Sequence, residues 1–133
     1  MNVAVFGVVT LFLLTEQTAP QQRPPRLSPA IPYVKSVCFT ASEAKVKICS
    51  DSGGRLVTAT DLNGKVLWQR DPFVENKMKP YRNDFPRITW IGRLTWDCRS
   101  SVSGKSCLGI GYNSSQGVVV SILDGDSAFS GQD

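Results

Sequence analysis

Turn chemistry interrupts this chain so often that no room is left for a long helix. From position 33 onward, β-rich runs alternate with Asp-Ser-Gly-Gly (51–54), Asn-Gly (63–64), Pro72, Pro80, Pro86, Asn-Ser-Ser-Gln-Gly (113–117) and Asp-Gly-Asp (124–126). Gly, Asn and Asp enter left-handed backbone cheaply, and Pro is excluded from helix interiors and central strands. No segment sustains a 3.6-residue apolar period, whereas Lys45-Val46-Lys47-Ile48-Cys49 alternates as a strand with one wet face does.

Strand-like runs occupy 34–39, 45–49, 55–60, 66–69, 88–96 (with a break at Gly92), 108–112 and 118–122, and Ala128-Phe129 suggests a short last strand. Residues 40–43 (Thr-Ala-Ser-Glu) offer a cap for a helical turn. Residues 70–86 read as a long loop or edge excursion, and 99–106 as a polar turn. About seven short strands in one domain, residues 33–133, predict an all-β fold: a small antiparallel sandwich or barrel.

The firmest local expectation is a hairpin of 55–60 with 66–69 around Asn63-Gly64, closed by a type I′ turn. Its residues Asp61-Leu-Asn-Gly-Lys-Val-Leu-Trp-Gln69 resemble the D-x-x-G-K-x-x-W hairpin of quinoprotein-type β-propeller blades. The resemblance implies a hairpin and no more. A propeller takes at least four blades and this chain has room for about two, so no quinone cofactor follows from it.

Residues 1–19 read as a signal peptide or N-terminal anchor. The apolar run at 3–14 has the length of a signal h-region, about 7–15 residues, and falls short of the roughly 20 that span a bilayer. Residues 20–32 hold Pro20, Pro24, Pro25, Pro29 and Pro32, and favour an extended Pro-rich linker. Arg26, Pro29 and Pro32 also match an SH3-type ligand, which an exported chain would not use. Four cysteines behind an export-like segment predict two disulfides. Cys38–Cys49 and Cys98–Cys107 are the favoured pairs, since each brackets one local segment. The rival arrangement, a zinc site of four thiolates, lacks the close C-x(2–4)-C spacing that such sites use. The expected location is therefore outside the cytoplasm: periplasmic, extracellular or tethered to a membrane.

The chain has no histidine. This removes Ser-His-Asp and Cys-His catalysis and every His-ligated metal site. Its 15 Lys and Arg against 11 Asp and Glu give +4, with both signs interspersed, so no nucleic-acid stripe is expected. Ser42 and Lys45 fit S-x-x-K without its companion motifs. Asp124 and Asp126 could offer oxygens to Ca²⁺, and Asp61 and Asp71 could pair as acid and base. Gly109 and Gly111 lack the rest of a phosphate loop. Asn113-Ser-Ser115 is an N-glycosylation acceptor. Each of these also has an ordinary reading as a turn or a strand end.

The most unusual stretch is 71–96, where Phe73, Tyr81, Phe85, Trp90 and Trp96 lie among Lys77, Lys79, Arg82, Arg87 and Arg93. Aromatics and Arg concentrate at recognition hot spots. The sequence thus points to a non-enzymatic binding or structural module without cofactor or metal. Tyr81, Arg82 and Trp90 are the candidate contact residues, and the partner is a protein or glycan of the cell envelope. The alternatives are a periplasmic enzyme inhibitor, with the 99–106 loop as its finger, and a carboxylate-based hydrolase.

Overall fold

The computed structural model describes Gly7 and residues 35–133. The signal-like segment and the Pro-rich linker, except Gly7, lie outside these residues. Eight strands among the described residues form two antiparallel four-stranded sheets, the layers of a β-sandwich. Sheet 1 runs in order β1 (Cys38–Ala41), β2 (Val46–Ser50), β3 (Val57–Asp61), β4 (Val66–Arg70). Sheet 2 runs in order β5 (Ile88–Gly92), β6 (Cys107–Tyr112), β7 (Gln116–Ser121), β8 (Ser127–Gln132). Each sheet is a meander in which strands consecutive in sequence pair: short turns join most of them, and the longer 93–106 connection joins β5 to β6.

Period-two alternation sets which side chains meet between the sheets. Val46 and Ile48 of β2, Val57 and Ala59 of β3, and Trp68 of β4 face Leu108 and Ile110 of β6 and Val118 and Val120 of β7. β7 departs from alternation and reads as a continuous apolar run because sheet 2 is covered on both faces. On its outer face, Val119 packs with Cys98 and Val102 of the 98–107 loop, supported by Leu94 and Ala128. The polar 99–106 turn is thus a lid held by one buried valine, with a 3₁₀ turn at Arg99–Val102.

Both expected disulfides are present. Cys38–Cys49 joins directly opposed residues of β1 and β2, and Cys98–Cys107 closes the lid. No described cysteine is free, so the four sulfurs form two covalent staples and no thiolate cluster. Two disulfides are the chemistry of an oxidising compartment.

Two local expectations are corrected. Residues 40–43 start no helix: β1 continues to Ala41, and a tight turn reverses the chain with Lys45 in left-handed backbone at φ 54°. The 57–70 hairpin is where the sequence placed it, but its turn is not type I′, which needs positive φ at both central residues. Only Gly64 is left-handed, at φ 85°, and Gly64 N–H donates to Asp61 O at 3.1 Å. This is a type I turn closed by a left-handed glycine, and a register shift follows between Ala59 and Thr60.

Candidate functional site

The 71–96 segment divides into parts with different fates. Asp71-Pro72 starts a one-turn helix, α1 (Pro72–Glu75): Asp71 Oδ1 accepts from Val74 N–H at 3.2 Å, and Pro at the first position needs no donor. Phe73 is buried in the core, where its ring meets the edge of Tyr112 at 5.7 Å and lies beneath the Arg55 guanidinium at 4.5 Å. Burial pushes the Tyr112 phenol well above its ordinary range.

α1 ends in a Schellman motif. Met78 N–H donates to Phe73 O and Lys77 N–H to Val74 O, both at 3.0 Å, and Met78 packs on the core that holds Phe73. The left-handed residue of this motif is usually Gly. Here it is Lys77, at φ 51°. Arg82, at φ 56°, is also in left-handed backbone, as is Lys45 in the β1–β2 turn.

Between Lys77 and Arg82 the chain borders a shallow cleft of about 350 Å³, lined by the 76–81 segment, Gln116 of β7, and Phe129 and Gln132 of β8. The segment is pinned at both ends. Asn76 Nδ2 donates to Pro72 O at 2.7 Å and to Ser127 Oγ at 2.8 Å. Gln116, buried within the sandwich, donates to Lys79 O at 2.9 Å while its Oε1 accepts from Ser114 at 2.8 Å. No acidic side chain lines the cleft.

Of the three candidate contact residues, Tyr81 and Arg82 belong together here. Tyr81 lines the cleft, and the Arg82 guanidinium sits 5.0 Å from the centre of its ring. Trp90 does not line it. It lies across the outer face of β5 and β6, where a β-carbon built on Gly109 would come within 2.8 Å of Trp90 Cζ3. Trp90 therefore covers a glycine patch and remains 43 % exposed. Gln116, Phe129 and Gln132 were not foreseen. Extending the inward series Val120, Val118 back by two residues would have reached Gln116 and flagged a buried amide.

The other chemical candidates have structural partners. Asp61 and Asp71 stand at opposite ends of the β3–β4 hairpin. Asp61 Oδ1 accepts from Asn63 and Lys65 N–H, each at 2.9 Å, and Asp71 caps α1 and pairs with Arg55 at 3.6 Å. At the 124–126 turn, the Lys105 ammonium bonds Asp124 and also reaches Asp126 at 3.3 Å. A protein cation thus sits where the Ca²⁺ was considered. Among the described residues, no group of three or more His, Cys, Asp or Glu could hold a metal ion.

Lys105, with the Asp126 N–H, lowers the Asp124 carboxyl to about 2, and the pairing raises Lys105 above its ordinary value. A lowered carboxylate contributes stability above its unfolded value, and that is lost as pH falls toward 2. A raised ammonium contributes below its unfolded value, and that is lost as pH rises past it. The clamp is therefore closed between 3.8 and 10.5. In Lys105→Gln, carboxyl NMR titration should find Asp124 shifted up toward 3.8. A midpoint left near 2 would assign the shift to the turn backbone instead. Comparison with family models, curated proteins and solved structures returns no match.

Proposed function

We propose that this domain is a non-enzymatic binding module of the cell envelope or extracellular space, exported through its N-terminal segment and contacting its partner around Tyr81 and Arg82. The two disulfides and the signal-like apolar run at 3–14 support export. One observation carries the binding reading: the 76–81 segment is a pre-ordered rim, tied to β7 and β8 by two side-chain amides, that presents cations and an aromatic ring over a cleft. A surface fixed before binding loses little entropy when it binds.

The test is cross-linked capture from the envelope fraction of the native host. A Tyr81→Ala/Arg82→Ala variant should lose the material held by the wild type and keep the same circular dichroism. Unchanged capture would remove this surface from the function.

A second reading, an inhibitor of an envelope hydrolase, draws on the 98–107 lid. The Cys98–Cys107 bond and buried Val102 hold it from below, while Arg99, Ser101 and Ser103 remain exposed. Inhibition that survives the cleft variant and is lost on Arg99→Ala would favour it.

A further inference from the structure

We infer that the cleft beside Tyr81 binds an acidic oligosaccharide, with a carboxylate or sulfate held by Lys77 and Lys79 and a sugar ring laid against Phe129 and Tyr81. This rests on the binding-module reading and names its ligand class.

Charge is the first argument. Arg55, Arg70, Arg93, Arg99 and Lys105 each pair with a carboxylate. Lys77 and Lys79 have no such partner among the described residues; like Lys35, Lys45, Lys47 and Lys65 they are unpaired, but these two line one cleft, and Arg82 lies beside it over the Tyr81 ring. Two uncompensated cations in a cleft without an acid, with a third beside it, favour an anion.

Backbone is the second argument. Lys77 stands in the left-handed position of a Schellman motif, which Gly would occupy without a β-carbon penalty. Nothing in the packing of the helix end requires a lysine there. Its ammonium is what a glycine could not supply.

The remaining lining selects a sugar over a peptide. Phe129 is 47 % exposed and offers an apolar ring, and Gln132 has an amide NH₂ left to donate to hydroxyls. Sugars combine apolar C–H faces with hydroxyls and match such a mixture. An acidic peptide would bind most simply as an added strand on the β8 edge. That edge is obstructed at Ser127 by the Asn76 side chain. The volume, about 350 Å³, is at the small end of ligand clefts and suits a short saccharide unit.

The experiment is an amide NMR titration of the purified protein with four probes: a trigalacturonate, a heparin-derived tetrasaccharide, cellotriose and hexaglutamate. The amides of 76–81 and 129–132 should shift with the carboxylated or the sulfated sugar, and the stronger of those two identifies the anion. Cellotriose should bind at least about tenfold more weakly, the weight of two exposed charge contacts. Lys77→Gly should melt no lower than the wild type and yet bind the acidic sugar several-fold more weakly. Phe129→Ala should weaken the sugar and leave hexaglutamate unaffected.

Hexaglutamate binding as tightly as either acidic sugar would overturn the saccharide assignment. So would the absence of shifts in 76–81 with both acidic sugars. In either case the capture experiment judges the binding module separately. A Lys77→Gly protein that melts lower than the wild type would show the lysine to be structural.

Discussion

Reduction of both disulfides is expected to abolish cooperative unfolding near room temperature. The bridges close loops with sequence separations of 11 and 9. Loop-closure entropy makes each worth about 2.5–3 kcal/mol through the unfolded state. One staples an edge strand of sheet 1 and the other closes the lid of sheet 2, so the two losses should nearly add. The sum, roughly 5 kcal/mol, reaches the lower end of the stability of a whole domain, about 5–15 kcal/mol. Urea titration followed by tryptophan fluorescence, with and without reductant, measures this. Cys38→Ser/Cys49→Ser and Cys98→Ser/Cys107→Ser should each fall by about 2.5–3 kcal/mol and still unfold cooperatively. The lid pair should also expose Val119 and its outer-face neighbours to solvent, seen as faster amide exchange in β7. A reduced protein that kept its oxidised midpoint would mean that the bridges constrain neither state.

Much of this architecture was legible because its signals are local. Each cysteine pair brackets one short segment, so proximity in sequence named the partners. Asn63-Gly64 located the β3–β4 hairpin but could not name its turn. Both a type I′ turn and a type I turn with a following bulge place Gly in left-handed backbone, and they differ in what Asn63 does. The apolar run Val118-Val119-Val120 announced a strand. It did not announce that Val119 faces a second small core, because that cover is supplied by Val102, distant in sequence. The cleft was legible by halves. Lys77, Lys79 and Tyr81 fall within the segment that stood out by composition, whereas Gln116, Phe129 and Gln132 reach it only through the pairing of β7 with β8. Composition also could not separate Tyr81 from Trp90: one ring lines the cleft and the other covers glycines. The Schellman end of α1 was hidden, because its usual mark is a glycine and this chain has Lys77 there.

Gly125→Ala should cost about 3 kcal/mol, far more than the same change at Gly64, although both glycines are left-handed. Gly64, at φ 85°, has open space where a β-carbon would stand, so alanine there should cost only the backbone penalty, about 1 kcal/mol. At Gly125, φ 77°, that carbon would lie 2.6 Å from Trp68 Cε3 and 2.8 Å from Arg70 Cγ. Trp68 cannot move away freely. It is buried, and its indole N–H donates to Ile122 O at 2.9 Å, across from sheet 1 to the end of β7. Relieving the clash means pushing the indole off its bond or lifting the 121–125 turn, whose Gly125 N–H donates to Ser121 O at 3.0 Å. Overpacking of this kind typically costs about 1–3 kcal/mol beyond the backbone penalty. A double-mutant cycle isolates the packing part. In a Trp68→Ala background the cost of Gly125→Ala should fall to about 1–2 kcal/mol, the backbone penalty plus what Arg70 Cγ still opposes. Equal costs for Gly125→Ala with and without the indole would mean that Trp68 yields, and that the join between the sheets at Ile122 does not depend on the close approach of this ring to the turn.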